Sequence, residues 1–123
     1  MNVVDSSGWL EYFGAGINAS FFAPVIENTP ELIVPSVSLY EVTKRILLQS
    51  NESNALRAAA TMAQGIIIDL NMPIAISAAK ISIKYKIPMA DSIILATARA
   101  YNATLWTQDV DLKVDGVQYI EKK

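Results

Sequence analysis

Ile87-Pro88-Met89-Ala90-Asp91-Ser92-Ile93-Ile94-Leu95-Ala96-Thr97-Ala98, followed closely by Thr104-Leu105-Trp106-Thr107, decides the fold class of this chain. Pro88 breaks any preceding helix, because its ring fixes φ and removes a backbone donor. Asp91-Ser92 then opens a new helix, and Ile94, Leu95, Ala98 and Tyr101 form one apolar stripe along it. Thr104–Thr107 reads as a short strand. A helix feeding directly into a strand is half of a βαβ unit.

The same alternation extends to both ends. Residues 2–5 read as a short buried strand ending in Asp5-Ser6-Ser7-Gly8, a strand-to-helix turn with an N-cap. Trp9, Leu10, Tyr12 and Phe13 give an amphipathic helix closed by Gly14 and Gly16. A second short helix is expected over 19–27 with Pro24 near its start or at a kink, then a strand at 32–34. Ser38 is expected to begin a helix with Leu39, Val42 and Ile46 on one face; an alanine-rich helix over 53–64 follows. Residues 66–70 read as a strand, 74–86 as a helix, and 117–120 as the terminal strand. No repeat, low-complexity tract or linker divides the 123 residues, so one domain is expected.

Composition narrows the chemistry. The chain is 52% hydrophobic with a mean hydropathy of +0.30. A parallel sheet buried on both faces accounts for this, and so does an oligomer interface. The longest uncharged stretch, 12–26, is too short to span a bilayer and is broken by Gly14, Gly16, Asn18 and Pro24. The N-terminus has neither a basic region nor an apolar signal core, and there is no cysteine to form a disulfide frame. A cytoplasmic setting is the expectation. A net charge of −2 argues against binding polyanions by bulk charge, but leaves room for a local basic rim.

Neither His nor Cys occurs. That excludes Ser-His-Asp and Cys-His nucleophile systems, most zinc sites and imidazole bases. Carboxylates, alone or with hard oxygen-seeking ions, are left to do any catalysis. Asp5 ends the first strand and Asp109 lies two residues beyond the strand at 104–107. Glu41 lies early in the helix after the second strand, and Asp91 opens a helix. In an open α/β sheet, functional loops leave the carboxyl ends of strands, so three of these four have a topological reason to meet. Each also has a structural reading. Asp5 and Asp91 suit helix caps, and Glu41 suits a capping box with Ser38 or a pair with Arg45. Asp109 suits a turn, as do Asp111 and Asp115, and Asp69 reads as a solvated strand-end carboxylate.

The whole pattern resembles the PIN-domain family, and within it the VapC-type toxins of toxin–antitoxin modules. The resemblance runs through Val4-Asp5-Ser6-Ser7, Pro35-Ser36-Val37-Ser38-Leu39-Tyr40-Glu41-Val42, the Ile87–Ala98 stretch, and Leu105-Trp106-Thr107-Gln108-Asp109-Val110-Asp111-Leu112, with Gly116-Val117 leading into the last strand. The departures are Leu112, where the family more often has Phe, and Gln108, where Arg or Lys is frequent; the first touches packing and the second RNA preference. No acidic motif position is lost.

The resemblance implies a three-layer α/β sandwich: a mostly parallel twisted sheet of four or five strands with helices on both faces. It implies an endoribonuclease hydrolysing phosphodiester bonds with Mg²⁺-activated water, Mn²⁺ being a possible substitute. Asp5, Asp91 and Asp109 would be metal ligands, and Glu41 would orient or deprotonate the water. Thr107 and Ser6 or Ser7 would steady the carboxylates. An RNA substrate, a cognate antitoxin, a homodimer and DNA contacted only through the antitoxin complete the implied partners. The alternative is a non-catalytic PIN-fold interaction module. A receiver domain fails because Ser6 follows Asp5 where an acidic pair is needed, and no lysine occurs near Thr107 before Lys113. A D-x-D phosphatase fails at Ser7, and no Gly-rich phosphate loop occurs. Lys44, Arg45, Lys84, Arg99 and Lys113 are candidates for gripping RNA. Tyr40 and Trp106 read as core aromatics, with stacking on a base as their alternative role.

Overall fold

A computed structural model describes residues 1–123. The elements run β1 (Asn2–Val4), α1 (Ser6–Phe13), α2 (Ala19–Ile26), β2 (Leu32–Pro35), α3 (Ser36–Gln49), α4 (Glu52–Met62), β3 (Ile66–Ile68), α5 (Met72–Tyr85), α6 (Met89–Ala100), β4 (Thr104–Thr107) and β5 (Gln118–Tyr119). The five strands form one sheet in the order β3-β2-β1-β4-β5. Every pairing is parallel. The α/β class and the helices on both faces are as expected from the sequence.

Alternation along the strands fills two cores. Val3, Ile33 and Leu105 point to the side covered by α5 and α6. Val4, Leu32 and Val34 point to the other, against Trp9, Phe22, Val42 and Met62 of α1 to α4. Successive strand residues face opposite ways, so a sheet covered on both sides needs apolar residues at consecutive positions. That requirement explains the high hydropathy. Among the helices α6 is the most enclosed, with Ser92 through Ala98 all buried. Gly8 lets α1 sit close: a Cβ there would meet Val4 Cγ1 at 2.6 Å and Phe22 Cε1 at 2.7 Å. No helix is long and apolar enough to cross a membrane.

Three local expectations are corrected. Helix α3 starts at Ser36, capped by Pro35, because Pro35 suits the extended residue before a helix. Ser38 therefore lies inside the helix, fully buried, with its hydroxyl unpartnered, and the Ser38–Glu41 capping box does not form. Helix α5 starts at Met72, because Asn71 caps it by accepting from Ile74 N at 3.0 Å. Strand β3 ends at Ile68 rather than at residue 70, and Asp69 just beyond it is exposed, in keeping with its reading as a solvated strand-end carboxylate.

Candidate carboxylate site

The sheet order places the chain's reversal between β1 and β4. β1 leads outward to β2 on one side, whereas β4 adds on the other. Such a switch point opens a crevice at the carboxyl ends of the two strands. Asp5 follows β1 and Asp109 follows β4, so the register that pairs Val4 with Trp106 sets both at this crevice. Helix α6 runs back across the sheet to deliver the chain to β4, whose first residue donates its N–H to Met1 O at 3.0 Å. The other end of α6, its first turn, carries Asp91 to the crevice. This path supplies the topological reason for Asp91 that strand order alone does not give.

Asp5, Glu41, Asp91 and Asp109 line one groove of about 1070 Å³ that extends between α1 and α3. Asp5 is 1% exposed and anchored by three donors. Gly8 N donates to Oδ1 at 3.0 Å, Ser7 Oγ reaches Oδ2 at 2.8 Å, and Thr107 Oγ1 reaches the same oxygen at 2.8 Å. Thr107 Oγ1 also accepts from Asp109 N at 2.9 Å, so one hydroxyl ties both strand ends together. Ser6 Oγ donates to Glu41 Oε1 at 2.6 Å. Glu41 therefore faces Ser6 rather than Arg45, and no ion pair joins it to that residue; the molecule's ion pair is Met1 amine to Glu31.

The electrostatics follow from this crowding. Burial pushes the Asp5 carboxyl up from 3.8 to about 6, against the pull of Thr107, Ser7 and Gly8, with Asp109 adding to the rise. Burial also raises Asp91 to about 7, reinforced by the charges of Asp109, Asp5 and Glu41. Like charges held in a low-dielectric crevice favour either a captured proton or a cation.

Oxygens of Asp91, Asp109 and Asp111 lie within 4.8 Å of one another. Three hard carboxylate oxygens at this spacing fit a divalent ion with oxygen ligands. By sequence Asp111 suits a turn; the structure adds it to the acidic cluster. In the structure Asp109 caps the 3-10 turn Val110–Leu112 by accepting from Asp111 N at 2.9 Å, which folds the second carboxylate back beside the first. The Asp109-x-Asp111 spacing was the available signal.

The basic candidates separate. Lys44 and Arg45 line the groove. Lys84 and Arg99 gather at Tyr85, with Arg99 Nη2 donating to its hydroxyl at 3.1 Å, and Lys113 lies over Tyr119. Lys122, absent from the sequence candidates, does line the groove. Tyr40 is 63% exposed, which corrects its reading as a core aromatic. Trp106 packs on Phe21 and donates Nε1–H to Asn2 Oδ1 at 2.9 Å. Gln108 is buried, accepting from Asn18 Nδ2 at 3.0 Å, so it acts in packing as well as lining the groove. Leu112 is fully buried in the α5–α6 core.

A model of the PIN domain matches residues 3–116. The chain belongs to the PIN-domain family. Among solved structures, it is similar to a toxin–antitoxin complex from Klebsiella pneumoniae, with TM-score 0.78, 20% identity, and 98% of this chain and 96% of that chain covered. It is similar to VapC20 of Mycobacterium tuberculosis, described as a sarcin–ricin loop cleaving toxin, with TM-score 0.80, 14% identity, and 96% and 98% covered. A third is VapBC2 from Rickettsia felis, bound to a promoter DNA fragment, with TM-score 0.75, 14% identity, and 99% and 98% covered. No curated protein matches.

Proposed function

We propose that this chain is a cytoplasmic, divalent-metal-dependent endoribonuclease, the toxin of a toxin–antitoxin pair, formed by one PIN domain over residues 1–123. The observation that carries the reading is the convergence of Asp5, Glu41, Asp91 and Asp109 on one groove at the sheet's switch point. A purely structural role explains each acid alone but not their gathering, which costs stability without a cation. Proteins of the same fold that are described as a toxin–antitoxin complex and a loop-cleaving toxin support the biological role.

Asp5, Asp91 and Asp109 are the proposed metal ligands, with Asp111 within reach of Asp91 and Asp109. Held there, Mg²⁺ or Mn²⁺ would supply acidification of the attacking water and would offset charge on the phosphate. Ser7 and Thr107 fix the Asp5 carboxylate in orientation. Ser6 occupies Glu41 Oε1 and leaves Oε2 to accept the proton of the attacking water. The water oxygen then bonds to phosphorus, one bridging P–O bond breaks, and the leaving oxygen takes a proton from solvent.

An antitoxin would cover this groove, and DNA would be met only through that partner. A homodimer is supported by the exposed apolar stripe Met72, Ile76 and Ile83 on α5. The test is incubation of purified protein with RNA and Mg²⁺, then with EDTA, beside Asp91→Asn. Cleavage abolished by EDTA and by the substitution is expected. Metal-independent cutting, or an equally active variant, refutes the assignment, and no cutting at all favours the interaction module.

A further inference from the structure

Three cations border the groove without neutralising its acids. Lys44 and Arg45 stand on α3, one turn beyond Glu41. Lys122 comes from the opposite direction, on the segment after β5. None of the three forms an ion pair. The position of Lys122 is built rather than incidental. Asn18 is 3% exposed, and its Nδ2 donates to Glu121 O at 3.0 Å and to Gln108 Oε1 at 3.0 Å. Gln108 is equally buried, and its Nε2 approaches Ser7 O at 3.4 Å. Ile120 N donates to Thr107 O at 3.0 Å. Two buried amides and one ladder bond thus fasten the main chain beside Lys122 to the strand end that carries Thr107 and the residue that follows it.

Resting on the ribonuclease reading of the groove, we infer that Lys44 and Arg45 on one rim and Lys122 on the other hold backbone phosphates on opposite sides of the scissile phosphate of single-stranded RNA. Asn18 is the positioning residue for the second rim. Charge selects the ligand: the floor is acidic and the rims are basic, a pattern suited to a polyanion that brings one phosphate to a cation below and leaves its neighbours to the rims. Size selects the single strand. A groove of about 1070 Å³ lies just above the range of about 300–1,000 Å³ typical of small-ligand pockets. It admits a few nucleotides and excludes a duplex from the recessed Asp5. Tyr40, exposed on the α3 rim with Lys44 Nζ 5.6 Å from its ring centre, offers a face on which a base stacks.

The test measures binding of a fluorescein-labelled, unstructured twelve-nucleotide RNA by anisotropy at several salt concentrations, in an Asp91→Asn background that prevents cleavage. Each single-strand phosphate contact contributes about −0.7 to the slope of log K against log salt, equivalent to about fivefold in affinity at 0.1 M. Lys122→Ala and Lys44→Ala are each expected to weaken binding by about that factor and to flatten the slope by about 0.7. Asn18→Ala is expected to lose the same slope increment, and adding Lys122→Ala to it to change nothing further. Lys122→Arg should restore the slope, and Lys84→Ala, away from the groove, should bind like its parent. Tyr40→Ala is expected to weaken binding roughly five- to 150-fold with the slope unchanged. Unchanged slopes in Lys122→Ala and Lys44→Ala, or equal competition by the duplex form, overturn the inference and leave the groove to an extended protein segment. If wild type with Mg²⁺ cleaves RNA while the variants keep the parent's slope, only the rims are wrong; if it neither binds nor cleaves RNA, the ribonuclease reading falls with them.

Discussion

Replacing Asp91 by asparagine in metal-free protein isolates the electrostatic strain of the site. The side chain is half-buried in the first turn of α6, and burial with the charges of Asp109, Asp5 and Glu41 raises its pKa from 3.8 to about 7. Asparagine keeps the volume and removes the charge. A folded pKa above the unfolded one means that the folded protein binds the proton more tightly. The penalty for ionisation is therefore complete above pH 7, shrinks as pH falls through 7, and vanishes below about 4. The full difference corresponds to about 4 kcal/mol at most. Solvent access at Asp91 screens it, and about 1–2 kcal/mol is the expected gain for Asp91→Asn at pH 8. For a chain of this length that is a rise in Tm of roughly 3–10 °C. Thermal unfolding followed by circular dichroism in EDTA should show the variant melting higher at pH 8 and level with wild type near pH 4. Excess Mg²⁺ should reverse the order, since a ligand bound at 100 times its Kd adds about 2.7 kcal/mol to wild type. A variant that melts no higher than wild type at pH 8 in EDTA refutes the crowded-carboxylate reasoning.

Other substitutions probe the supports. Thr107→Val removes the donor to Asp5 and the acceptor of Asp109 N; it is expected to cost about 1–3 kcal/mol in urea unfolding, and a loss below 0.5 kcal/mol would contradict the bridging role. Ser6→Ala frees Glu41 Oε1 and should lower the rate of RNA cleavage about 10- to 100-fold with Tm nearly unchanged, an outcome that equal kcat would exclude. Gly8→Ala forces a methyl onto Val4 and Phe22 and should destabilise by about 1–3 kcal/mol, read as a lower urea midpoint; a neutral result would mean that α1 shifts freely. Wild type in EDTA should itself gain stability as pH falls from 8 toward 5, because Asp5 and Asp91 both carry raised values.

The sheet was legible because each strand is a short apolar run placed between helical stripes, and consecutive buried residues such as Val3 and Val4 demand cover on both faces. The acids were legible through the strands they follow, and Asp91 through its motif. What escaped depends on contacts between distant segments. Nothing local marks Asn18 as the partner of Glu121, 103 residues away, or brings Lys122 to the groove; both depend on β5 pairing with β4. Ser38 and Glu41 satisfy a capping pattern that Pro35 overrides by starting α3 earlier. Tyr40 misled because an aromatic beside a helical apolar stripe resembles core, whereas α3 turns that position outward, beside the groove.

The most direct trial of the account is anomalous diffraction from crystals grown with Mn²⁺. A peak about 2.1 Å from oxygens of Asp91 and Asp109, lost in Asp91→Asn crystals, is the predicted result. Manganese scattered over surface carboxylates, with the crevice between β1 and β4 left without a peak, would contradict the claim that these acids form one divalent-ion site.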